Sequence, residues 1–176
     1  MKKLLVALFL ITITLTSANA GELRVTVPLD RPDVEGRKCF MPEEAEAEQG
    51  IRIHSELMVI GLNCQHMTPR GWKNFYQQYR EITSKNADLF AAYETTLINY
   101  FAQTGEGGAE RRLHDLRTDM ANKVSTDAAR MRPDIFCATF APRIPKAAKM
   151  SRNDIKHWAV STAGAQSTHP LCAVAR

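Results

Sequence analysis

The apolar run Leu57-Met58-Val59-Ile60-Gly61-Leu62, preceded by Glu56 and closed by Asn63-Cys64, constrains this chain more than any other stretch. At 100° per residue Ile51, Met58 and Leu62 share one helical face, while Leu57, Val59 and Ile60 point elsewhere. A helix that is apolar on most sides must be surrounded by other elements. Gly61 lets one of those neighbours approach closely, although glycine costs ~1 kcal/mol against alanine inside a helix. Cys64 adds a covalent tie at the end of the run. The expectation is a central buried helix, starting at Glu43 or Ile51 and ending near Asn63, around which the rest of the chain closes.

Outside that run, the longest apolar stretch is at the start. Lys2 and Lys3, the apolar Leu4–Leu15 and the Ala18-Asn19-Ala20 end read as a secretory signal cleaved after residue 20. The apolar part is shorter than the roughly 17–25 residues of a membrane span. Gly21 rather than cysteine follows the cut, which argues against a lipid anchor there. Cleavage removes two lysines and no acid, so the net charge falls from +4 to +2. So small a surplus argues against nucleic acid as a partner. All four cysteines, Cys39, Cys64, Cys137 and Cys172, lie beyond the cut. An even count in an exported chain points to two disulfides in an oxidising compartment, the periplasm or the medium.

In chain order, residues 21–50 form an N-terminal arm and an acidic segment. Leu23, Val25 and Val27 alternate as in an extended strand or arm. Pro42 followed by Glu43, Glu44, Glu46 and Glu48 suits a helix start. Residues 51–161 carry the helical domain. Thr68-Pro69 is expected to open a second helix with the stripe Trp72, Phe75, Tyr76, Tyr79 and Ile82. A third, near Lys85–Gln103, places Leu89, Phe90, Tyr93, Leu97, Tyr100 and Phe101 together, and the two can also form one kinked helix. Gly105-Glu106-Gly107-Gly108 is the clearest break. A fourth helix runs to about Met131 on Leu113, Leu116, Met120, Val124 and Ala128. Its outer face offers Asp119–Lys123 as an i,i+4 pair. Arg132-Pro133 begins a short helix holding Phe136 and Cys137, limited by Pro142 and Pro145. Ser151-Arg152-Asn153-Asp154 has the form of a capping box before a last helix. Residues 162–176 are a tail that Cys172 would pin. The fold class is therefore all-α, a bundle of about five helices tied by two disulfides.

Four cysteines allow three pairings. Cys64–Cys137 with Cys39–Cys172 is favoured, because it joins the central helix to the short helix and the arm to the tail. Cys39–Cys64 with Cys137–Cys172 is the alternative. No C-x-x-C supports a redox role.

Candidate chemistry is sparse. Cys64, His66 and Met67 are copper-type ligands in four residues, but no second cluster completes them, and neither a metal nor another cofactor is expected. His114, Asp115 and Asp119 do not converge on one helix face and no nucleophile motif accompanies them. Signatures such as G-x-S-x-G, S-x-x-K and the phosphate-binding glycine loops are missing. Trp72, Tyr76, Tyr93 and Tyr100 are candidates for lining a ligand cavity. Arg143, Lys146, Lys149, Arg152 and Lys156, opposed locally only by Asp154, form a basic surface for an anionic partner. The acidic run 43–48 can also meet that surface within the molecule.

Glu56-Leu57-Met58-Val59…Leu62-x-Cys64, then an aromatic helix, then Leu113…Thr118-Asp119-Met120-Ala121-Asn122-Lys123-Val124-Ser125, then Phe136-Cys137, resembles a pattern found in small exported helical proteins of bacteria. It covers about residues 39–140. The resemblance implies export, helices and a cysteine link between the two ends, and it implies no activity. It also suggests that Asn122 and Ser125 hydrogen-bond across the bundle. The functional expectation is a non-enzymatic binding or accessory protein of the bacterial cell envelope that acts through a helical surface on an envelope protein or anionic surface. The alternative is a small-ligand binder with an aromatic-lined cavity, and an enzyme of unrecognised type ranks below both.

Overall fold

A computed structural model describes residues 38–173 apart from 69, 70 and 106, with the backbone alone at 164 and 165. The expected signal segment and extended arm lie outside the described residues. Among the described residues there are seven α-helical segments and no strand beyond one isolated bridge. They are α1 Pro42–Cys64, α2 Phe75–Lys85, α3 Ala87–Gln103, α4 Ala109–Arg130, α5 Pro133–Phe140, α6 Arg143–Ala148 and α7 Arg152–Gln166, with a short 3₁₀ turn at Gln65–Met67. The all-α, two-disulfide expectation holds. The chain makes more segments than five because Asn86 separates α2 from α3 and the residues after Phe140 form a further turn of helix at α6.

Helix α1 is the axis of the molecule. It starts at Pro42 and runs unbroken through Gly50, so the acidic segment belongs to it. The Met41 N–H donates to Glu44 Oε2 at 2.7 Å, closing the first turn. At 1.5 Å per residue α1 is about 35 Å long, and each of the other six helices packs on it. Its first half, with Ala47 and Ile51, meets Leu89, Phe90, Tyr93 and Leu97 of α3, Leu113 and Met120 of α4, and Ile155 of α7. Its second half, with Ile53, Leu57 and Ile60, meets Tyr79 and Ile82 of α2, Phe136 of α5 and Ile144 of α6. Leu62 is the exception in the run and is exposed. It lies 200° round the helix from Cys64, so when Cys64 turns inward Leu62 turns out.

Two helix contacts depend on glycine. A Cβ at Gly50 would sit 2.2 Å from the buried Tyr93 ring. A Cβ at Gly61 would sit 3.2 Å from the Tyr76 Cα, so α2 crosses α1 at close range.

Both disulfides follow the favoured pairing. Cys64–Cys137 joins the end of α1 to α5, with Cα atoms 5.5 Å apart. Cys39–Cys172 joins the segment before α1 to the tail, with Cα atoms 5.0 Å apart. Backbone bonds reinforce the second tie: Phe40 N–H donates to Pro170 O and Cys172 N–H to Phe40 O, each at 2.8 Å. The Phe40 ring, fully buried, packs edge-on against Tyr100 and also touches His169.

The second helix starts later than its sequence suggests. Its N-cap is Asn74, whose Oδ1 accepts from Gln77 N–H at 2.8 Å while Gln77 Oε1 accepts from Asn74 N–H at 3.0 Å. This reciprocal pair is a stronger start than Thr68 offers. Thr68 still contributes, its hydroxyl oxygen accepting from Phe75 N–H at 3.2 Å. Trp72 consequently falls in a turn and is 75% exposed. On α4, Asn122 and Ser125 are exposed rather than facing across the bundle, and no Asp119–Lys123 ion pair forms. The Ser151–Asp154 box forms as expected at the start of α7.

Candidate functional site

Helix α1 carries a polar seam that its amphipathic neighbours do not cover with apolar side chains. Glu48, Arg52 and Glu56 follow at intervals of four residues and Gln49 lies three before Arg52, so they share one side of the helix. Glu48 is completely buried and Gln49 is 1% exposed. Burial of an acid requires partners, and Glu48 has several. Arg52 Nη2 donates to its Oε1 at 2.9 Å. The Thr168 N–H donates to Oε2 at 3.0 Å, and the Thr168 hydroxyl also donates to it at 3.3 Å. Arg52 Nη2 further donates to Gln166 O at 2.9 Å. The pair thus holds the end of α7 and the start of the tail against α1.

The same seam forms one wall of a cleft of about 480 Å³ between α1, α4, α5, α6 and α7. Its apolar part is built from Ile53, Ile60, Val124, Phe136, Phe140 and Trp158. Its polar part is built from Gln49, Arg52, Glu56, Lys123, Asp127, Arg143 and Lys146. Arg143 stacks its guanidinium 5.0 Å from the Phe140 ring centre and donates to Glu56 Oε2 at 3.2 Å. Burial raises the Glu56 carboxyl above its usual value, an effect opposed by Arg143 first and then by Arg52 and Lys123.

Two donors in this wall have no acceptor among the described residues: Gln49 Nε2 and Arg52 Nε. An unmet buried donor costs about 1–3 kcal/mol. Both atoms are closed off from solvent behind the cleft wall.

The residues expected from sequence distribute as follows. Arg143 and Lys146 line the cleft, while Lys149 and Arg152 are exposed outside its lining. Lys156 Nζ lies 3.9 Å from Glu46, an ion pair between the acidic run and the basic segment. The four aromatic candidates do not surround a common cavity. Trp72 is in solvent and Tyr76 is half-buried in the α2 packing. Tyr100 packs against Phe40, and the Tyr93 hydroxyl donates to Glu46 at 2.9 Å. Cys64 is bonded to Cys137, which leaves His66 and Met67 exposed without its thiolate. Among the described residues no three His, Cys, Asp or Glu side chains converge as metal ligands. His114 is exposed and has no such cluster around it.

A second buried polar pair sits across α1 from the cleft. Tyr79 Oη and His54 Nε2 are 2.9 Å apart, and the imidazole packs on Phe90. Burial, with a smaller effect from Arg117, lowers the His54 pKa to about 4. This histidine is neutral at ordinary pH and enclosed by core residues.

Sequence reading missed Gln49, Arg52, Lys123 and Trp158. Arg52 and Gln49 look like ordinary polar positions of an acidic helix. The signal that was present is the i,i+4 spacing of Glu48, Arg52 and Glu56 within a helix already judged to be surrounded. No protein-family model, curated protein or solved structure matches this chain.

Proposed function

We propose that this is a non-enzymatic, exported binding protein of the bacterial cell envelope, acting through the cleft between α1, α4, α5, α6 and α7 and the basic helical surface at its mouth. The observation that carries the reading is an open cleft of about 480 Å³ that sets the exposed cations Lys123, Arg143 and Lys146 beside the part-exposed rings of Phe140 and Trp158. An open cleft that joins cations to aromatic surface is the form a binding site takes. The two disulfides agree with an oxidising compartment. Among the described residues no helix is long and apolar enough to cross a membrane, which suits a protein released by signal cleavage. We favour binding over catalysis because the two arginines of the cleft, Arg52 and Arg143, are each held by a carboxylate, Glu48 and Glu56.

The aromatic-lined cavity is set aside as the binding site, since Trp72, Tyr76, Tyr93 and Tyr100 point to separate places. The test is photocrosslinking in intact cells with a benzophenone amino acid at Trp158, in the cleft, and at Arg80, on α2. A specific adduct from position 158 that is lost in Arg143→Gln/Lys146→Gln is expected. Equal labelling from both positions, or none from either, would refute the reading.

A further inference from the structure

We propose that the face formed by α2, α6 and the turns at their starts docks on a membrane surface rich in anionic phospholipid, with Trp72 and its apolar neighbours entering the headgroup layer. This goes beyond the cleft reading, since Lys146 alone of the docking residues also lines the cleft.

The apolar part of this face is exposed surface. Met67 is 40% exposed, Trp72 75% and Ile135 48%, and all three belong to segments beside the Cys64–Cys137 bond. A shallow groove links those segments, with Met67 and Phe75 on one side and Ala138, Pro142 and Pro145 on the other. Ala138 lies three residues on from Ile135 and so shares its face of α5. Phe75 N–H donates to the Thr68 hydroxyl oxygen at 3.2 Å, which holds Trp72 at the rim. These side chains project from separate segments as single points. A fluid headgroup layer accepts such points without a matching shape, and tryptophan favours that layer.

Charge identifies the lipid. Helix α6 lies along α2, start to start: Pro142 meets Phe75 at the groove, and at the far end Lys85 Nζ donates to Met150 O at 3.1 Å. Ile144 and Ala147 are buried, so α6 turns Lys146 outward, and Lys149 follows it just past the helix end. Pro142 and Pro145 border both the apolar groove and the shelf that carries these two lysines. The acid on that shelf is Asp154. Its carboxylate is taken up at the start of α7, accepting from Ser151 N–H at 2.8 Å and from the Ser151 hydroxyl at 2.7 Å. Lys73 pairs with Glu81 and Arg143 with Glu56, so neither pair adds net charge. Three lysines, 85, 146 and 149, thus stand against one acid beside exposed apolar side chains. Apolar insertion joined to attraction for anionic headgroups is what holds a peripheral protein on a bilayer.

The test mixes the exported protein with vesicles of phosphatidylglycerol and phosphatidylcholine, with pure phosphatidylcholine as control. Lipid brominated in its acyl chains reports insertion by quenching tryptophan. Binding to the anionic vesicles is expected, at least about tenfold tighter than to the control and weaker as salt rises. Brominated lipid should quench the unaltered protein, and the quenching should vanish in Trp72→Phe, which keeps Trp158 and changes only an exposed turn residue. Lys85→Gln/Lys149→Gln alters two exposed side chains outside the cleft. It should weaken vesicle binding by about tenfold or more while leaving the unfolding midpoint within a few degrees. No binding to anionic vesicles overturns the proposal, as do equal affinity for the control, quenching that persists in Trp72→Phe, or unchanged affinity in the folded lysine variant. Binding to soluble polyglutamate as tightly as to the vesicles, without quenching, marks an acidic protein as the partner and also overturns it. The crosslink from position 158 reads the cleft and does not depend on these outcomes, so either proposal can fall alone.

Discussion

The side chain of Glu48 has no exposed surface, yet its contacts account for its place in the fold. It receives bonds from Arg52 and from both polar groups of Thr168. Removing one member of such a pair strands the other, typically at about 3–5 kcal/mol, whereas replacing both by apolar residues of similar volume is often neutral. Glu48→Ala should therefore lose several kcal/mol in urea unfolding, and Glu48→Leu/Arg52→Met should regain most of it. His54 supplies a pH signature. The unfolded imidazole takes its proton near 6.5 and the folded one only near 4. The folded state binds fewer protons across that interval, so stability falls as pH drops through it and the loss is complete below about 4. That loss is roughly 3 kcal/mol at most. Glu56 acts in the opposite sense, because its raised folded pKa makes a contribution that is lost as pH rises. Comparing the protein with His54→Gln separates the two. The variant should show a flatter stability–pH curve between 4 and 6.5, and an unchanged slope would contradict the assignment.

At the scale of helices, close approach governs the packing of α1. Gly50→Ala should gain ~1 kcal/mol of helix propensity. It must also push the Tyr93 ring, which is 5% exposed and bonded to Glu46, out of its position. Overpacking of this kind costs about 1–3 kcal/mol, so the net change is a loss, read as a lower denaturant midpoint. Its effect should shrink in Gly50→Ala/Tyr93→Leu, where the ring is gone. The start of α2 gives a smaller effect. Asn74→Ala removes one half of the Asn74–Gln77 box and should cost about 1 kcal/mol.

For the molecule as a whole, two long covalent loops set stability. The separations of 73 and 133 residues correspond to roughly 4–5 kcal/mol each by the chain-entropy argument. Peptide mapping without reduction should find Cys39–Cys172 and Cys64–Cys137 and no free thiol. Cys39→Ser/Cys172→Ser should lower the melting temperature and expose the Phe40 and tail region to hydrogen exchange first. Loss of protection in α5 before the tail would contradict the geometry described for the tail.

Much of the architecture was legible because it rests on local rules. Apolar positions all round Ile51–Ile60 require a surrounded helix. Pro42, Gly108 and Ser151 mark helix starts that depend on nearby backbone groups, and Gly105–Gly108 marks a break. Four cysteines in a short chain limit the pairings to three. The aromatic stripe was legible as core for Tyr79, Tyr93 and Tyr100, but Trp72 was misplaced because the Asn74–Gln77 box outcompetes Thr68-Pro69 as a helix start. The cleft was hardly legible. Arg143 and Lys146 were visible as a local basic cluster, but Gln49 and Arg52 become special only when α7 and the tail cover them. Lys123 becomes special only when α4 crosses α1 at that height. Sequence alone determined most of the helices, the Ser151 cap and the demand for a buried axis, since these follow from the periodicity and chemistry of neighbours along the chain. Only the tertiary structure decided which polar groups would be buried without acceptors. That depends on residues more than a hundred positions apart meeting on one face, and a local pattern carries no term for it.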